Sequence, residues 1–114
     1  MTSPSRLQLP KSQRAQSILA ELTSLQAQFA DGLDDLSIEY GDGSKLREVS
    51  WLRDGGQHGG GWRREVTNTG ILNRASLNIS TIHYDDRPDK PLRSATALSC
   101  IIHPQHPRAP SLHT

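Results

Sequence analysis

Aromatic residues are scarce in this sequence, with two Trp, two Tyr and one Phe in 114 positions. Hydrophobic residues of all kinds make up 33%, against roughly 45–50% apolar in an average globular domain counted with Gly. A thick core is therefore excluded, and one small domain is the ceiling. Cysteine is nearly missing too: Cys100 stands alone, so no intramolecular disulfide can form and the framework of a small secreted protein is absent. No apolar run approaches the length of a membrane span or a signal-peptide core. Charge of one sign is lacking as well. The 13 basic and 12 acidic residues are interspersed, for a net charge of +1, which gives no electrostatic footprint for nucleic acid or an anionic membrane. The expectation is a soluble cytoplasmic chain. The acid-free first twenty residues, with Arg6, Lys11 and Arg14, leave an organelle transit peptide as the alternative.

What is present begins with a polar segment. Residues 1–11, with Pro4 and Pro10 among serines, carry no apolar period and read as a flexible lead-in. From Ser12 to about Leu36, Ala15, Ile18, Leu19, Leu22, Leu25, Phe29 and Leu33 recur at three- and four-residue steps, which predicts an amphipathic helix packed by that stripe. Ser12 is a suitable N-cap, and Gly32 followed by Asp34 and Asp35 marks its expected end.

Turn formers dominate from Tyr40 to Gly61, interrupted by a short strand around Val49 to Arg53. Three further strands are expected: Trp62 to Thr67, Ser76 to His83 and Ala95 to His103. In the second, Leu77 and Ile79 face opposite to Asn78, Ser80 and Ile82. In the third, Leu98, Cys100 and Ile102 face opposite to Ala97, Ser99, Ile101 and His103. Both faces of this last strand carry apolar residues, as in a strand covered on both sides. Pro104, Pro107 and Pro110 then impose a loop. One helix followed by several strands is an α+β pattern rather than a parallel βαβ array.

Two constellations carry candidate chemistry. His103, His106 and His113 lie within eleven positions. They are either ligands for zinc or iron or loop histidines that face water and cap backbone groups, and their intervals match no standard zinc signature. The run Gly55-Gly56-Gln57-His58-Gly59-Gly60-Gly61 is either a phosphate cradle or a loop where backbones approach closely, and it lacks P-loop and dinucleotide spacings. Ser99 and His103 share a strand face about 13 Å apart at roughly 3.3 Å per residue, too far for a nucleophile and its base.

Together these segments resemble a known family. Trp51-Leu52-Arg53, Gly59-Gly60-Gly61, the segment from Arg74 to His83 (RASLNISTIH) and the segment from Ala97 to His113 (ALSCIIHPQHPRAPSLH) resemble, in order and in most spacings, the N-terminal part of oxygen-dependent coproporphyrinogen-III oxidases. The family pattern is WxR, a tetraglycine, KAGVNxS with VHG, and GVSxVIHPxNPHxPTxH. The resemblance covers about residues 12–114. Departures fall at His58, Asn73, Ser76, Tyr84 and Gln105-His106-Pro107-Arg108.

The resemblance implies a partial domain over 12–114 in which the N-terminal helix packs on part of a large flat antiparallel sheet that carries helices on both faces. It implies oxidative decarboxylation of coproporphyrinogen III to protoporphyrinogen IX in haem biosynthesis, with molecular oxygen as co-substrate and no required cofactor. Ser99 takes the position of a substrate-contacting serine and His113 that of a proton donor. His103 and His113 fall where a divalent metal would be held, if the family uses one. The implied partner is a second copy, as in a homodimer, or a missing C-terminal half. A non-catalytic porphyrin-binding or regulatory chain is the alternative.

Overall fold

A computed structural model describes residues 7–89 and 93–114. One helix, α1 (Gln13–Tyr40), precedes β1 (Arg47–Leu52), a 3-10 turn (Asp54–Gly56), β2 (Gly59–Thr67), β3 (Leu72–His83), β4 (Ser94–Pro104) and β5 (Leu112–His113). The strands form one antiparallel sheet in the order β1-β2-β3-β4-β5, a meander whose spatial order is its chain order. This is the α+β architecture expected from the sequence. Among the described residues no helix is long and apolar enough to cross a membrane.

Helix α1 starts where the polar cap predicts. The Ser12 hydroxyl accepts a hydrogen bond from the Ala15 amide, satisfying one of the free donors of the first turn. Its end differs from expectation: the helix runs through Gly32 to Tyr40 and stops at Gly41. Gly32 is exposed with open space around it, so it costs helix propensity without blocking the chain. Burial of Leu33 and Ser37 holds the last turns on the sheet, and Asp34 Oδ1 accepts from the Leu46 amide.

The buried stripe of α1 is also rotated from the apolar one. Ala15, Leu19, Gln26, Ala30, Leu33 and Ser37 face the sheet, whereas Ile18, Leu25 and Phe29 each remain over 40% exposed. Gln26 is fully buried, and its side-chain amide donates to the carbonyls of Leu77 (2.8 Å) and Trp62 (3.3 Å). The core lies under this stripe in two clusters. Ala30, Leu33, Leu72, Ala75, Leu77 and Cys100 form one, and Leu7, Leu19, Trp62 and Ile79 the other. Each fully buried aliphatic side chain contributes about 1.5–3 kcal/mol.

Leu77, Ile79, Cys100 and Leu98 share the helix-covered face as their alternation requires, and Asn78, Ser80, Ala97 and Ser99 share the other. Two expectations need correction. The described residues supply one helix on one face, so β4 is not covered on both sides: Ala97 and Ser99 are exposed. Of the expected lead-in, residues 1–6 lie outside the described residues, while the segment after them is pinned. Leu7 is buried, the Gln8 amide donates to Gly56, His83 Nε2 hydrogen-bonds the Gln8 carbonyl, and the Lys11 amide donates to Asp85.

Candidate functional site

The uncovered face of the sheet collects the polar side chains. Strand register sets them in rows: Val49–Arg63–Asn78–Ser99, then Arg47–Glu65–Ser76–Ile101–His113, then Thr67–Arg74–His103. A shallow groove of about 460 Å³ runs across these rows between Trp51 and Ile101. The rows exist because even-numbered residues of β3 and odd-numbered residues of β4 point away from α1.

Trp51 forms one wall. Its indole lies against Gly61, where an added Cβ would stand 2.7 Å from two ring carbons, and its Nε1 donates to Asn78 Oδ1 at 3.3 Å. The glycine run is thus a site of close backbone approach. Cβ atoms at Gly59 and Gly60 would likewise meet the carbonyl oxygens of Thr81 at 2.0 Å and Trp51 at 2.3 Å.

Charge on this face is unevenly paired. Glu65 binds Arg63 Nε at 3.0 Å and Arg47 Nη2 at 3.3 Å, and the Arg63 hydrogen bond holds its carboxyl below the usual range. The Arg74 guanidinium makes no hydrogen bond or ion pair among the described residues.

The sequence-derived residues meet here in part. His103 and His113 stack with ring centroids 4.7 Å apart, and their Nε2 atoms are hydrogen-bonded to one another. Ser99 lies two positions before Ile101, the register partner of His113, on the same face and exposed. No hydrogen bond joins it to either histidine. His106 turns away as a capping residue, its Nδ1 accepting from the Arg108 amide. Cys100 lies buried on the opposite face.

As arranged, His103 and His113 do not fit a metal. Two nitrogens on one tetrahedral zinc, at about 2.0–2.1 Å each, stand roughly 3.4 Å apart, and here the two Nε2 atoms are at hydrogen-bond contact. Among the described residues no third His, Cys, Asp or Glu joins them.

The chain is similar to oxygen-dependent coproporphyrinogen-III oxidases. It is 32% identical over 103 residues to the oxidase of Prochlorococcus marinus subsp. pastoris, covering 81% of this chain and 28% of that protein. With the oxidase of Prochlorococcus marinus (strain AS9601) it shares 32% over 102 residues, again 81% of this chain and 28% of the relative. The chain therefore spans under a third of the length of the curated relatives it matches. No family model matches it.

Sequence reasoning missed a second cluster at the β1–β2 and β3–β4 ends of the sheet. His58 donates through Nδ1 to Asp54 Oδ2 at 2.6 Å and through Nε2 to Asp86 Oδ1 at 3.0 Å, as an imidazolium does. The Asp54 hydrogen bond raises its pKa. A histidine interrupting a glycine run was the available signal, but its acidic partners come from two separate loops.

Proposed function

We propose that the uncovered sheet face is part of a coproporphyrinogen-III oxidase site. On this reading coproporphyrinogen III lies over the groove, Ser99 contacts it and His113 supplies a proton. The observation that carries the reading is the presence of Ser99, His103 and His113 on one polar face with unpaired cationic character, in a chain similar to such oxidases over 81% of its length.

The chemistry asked of this face is modest for protein side chains. Each of the two propionates that react loses its carboxyl group as carbon dioxide, the neighbouring carbon gives up a hydrogen with two electrons to dioxygen, and a proton completes hydrogen peroxide, leaving a vinyl group. Histidine suits the proton transfer because its ordinary pKa lies near neutrality. The hydrogen bond to His103 would orient the His113 ring for that task. Oxygen acts as co-substrate, and no step requires a bound metal. A second copy of the chain, or a polypeptide matching the remaining length of the relatives, would complete the pocket in the cytoplasm.

The shallowness of the groove favours a second reading, in which the chain binds a porphyrin without turning it over. Aerobic incubation with freshly reduced coproporphyrinogen III, followed by chromatography for vinyl-bearing product, separates the two. Product formed by the native chain and lost in His113→Ala supports the oxidase. A porphyrin-induced absorbance shift without product supports binding alone, and neither signal rejects both.

A further inference from the structure

We infer that Arg74 is the anion-binding residue of the uncovered face and takes a carboxylate of the tetrapyrrole ligand; this deepens, and rests on, the proposed porphyrinogen site. Among the described residues, the strands set three arginines on this side of the sheet: Arg47, Arg63 and Arg74. Glu65 occupies the first two, with contacts of 3.3 and 3.0 Å. A ligand carboxylate would have to displace Glu65 to engage either, at the cost of an existing charge-assisted hydrogen bond.

Arg74 carries no such debt. It has no side-chain partner among the described residues, and it is exposed. It lines the groove shared by Trp51, Asn78 and Ser99 as well as the adjoining groove of about 530 Å³ that holds Lys45 and Thr67. Its register partner is His103, so the unpaired guanidinium stands beside the histidine pair. A flat ligand seated on Trp51 with an edge toward β4 thus presents its acidic arms to an arginine whose planar fork is free for bidentate binding.

The test is fluorescence titration of the 114-residue chain with coproporphyrin III, the stable oxidised tetracarboxylate, and with its tetramethyl ester under the same buffer conditions. For Arg74→Gln the expected result is an affinity for the tetracarboxylate lower by about tenfold or more, the scale of one lost charge-assisted contact, with ester binding unchanged. Arg74→Lys should recover part of the loss, and Arg63→Gln should weaken binding less than Arg74→Gln. Equal tetracarboxylate affinity for the native chain and Arg74→Gln, in a variant with native thermal stability, overturns the role of Arg74 and leaves the porphyrin site standing. Failure of the native chain to bind either porphyrin overturns both.

Discussion

His103 and His113 meet Nε2 to Nε2 across the short β4–β5 ladder, so one ring donates the hydrogen and the other accepts it. The pair is a fastening for β5 as well as a candidate reactive group. Because the contact is exposed, its deletion should cost little: His103→Ala is expected to lower global stability by less than about 1 kcal/mol. Amide exchange at Cys100, whose N–H is bound by the Thr114 hydroxyl, should accelerate in the same variant. Denaturant unfolding together with hydrogen exchange checks both halves of this expectation.

Gln26 holds the helix to two strands at once. Gln26→Ala removes hydrogen bonds to Leu77 and Trp62 and leaves a cavity at a fully buried position. The expected loss is about 2–4 kcal/mol, read as a lower urea midpoint with little change in slope.

Two glycines should respond in opposite senses to alanine. At Gly61 a methyl group would sit 2.1 Å from the Ile79 carbonyl oxygen and 2.7 Å from the Trp51 ring, so Gly61→Ala is expected to cost about 3 kcal/mol or more. At Gly32, within the helix and surrounded by open space, the same change should stabilise by about 0.5–1 kcal/mol. Thermal melts of the two variants test the pair together.

The His58 cluster makes stability depend on pH. The Asp54 hydrogen bond raises the histidine pKa above 6.5, so its contribution is fully present below 6.5 and is lost as pH rises through the raised value. Asp86 is opposed by desolvation, yet hydrogen bonds from Gln57 and His58 bring its pKa below 3.8. Its contribution is present above 3.8 and is lost as pH falls through the lowered value. Urea midpoints should therefore decline on the alkaline side of 6.5, and His58→Gln should remove that decline. An unchanged alkaline slope in the variant would show that other groups produce it.

Much of the architecture was readable because it is local. Ser12 caps the helix through its own third neighbour, and the alternation of Leu77, Ile79, Leu98 and Cys100 assigns both long strands their faces. The helix end differs from expectation because Gly32 and the acidic pair Asp34 and Asp35 are local cues, while Leu33, packed in one cluster with Leu72, Ala75, Leu77 and Cys100, holds the final turns through residues distant in sequence. The stripe was misphased for a related reason: Gln26 is polar in composition, yet its side-chain N–H groups donate to carbonyls that a single segment does not reveal. At the candidate site, Ser99 and His103 share a face by simple parity. The partnership of His103 with His113 depends on a two-residue strand after a proline-rich loop, and the free state of Arg74 depends on register that sets Glu65 beside two other arginines.

The meander order of the sheet bears on how the chain reaches its native state. Each strand pairs with the one made just before it, so the sheet can grow one hairpin at a time as the polypeptide emerges from the ribosome. Helix α1 cannot mature on that schedule. The carbonyls that accept from the Gln26 side-chain amide arrive 36 and 51 residues later in synthesis, and until then the buried side of the helix lacks the strands it packs on. The nascent chain thus carries an early amphipathic segment whose protection waits for the third strand, and in that interval a chaperone or a complementary polypeptide has its best opportunity to engage it.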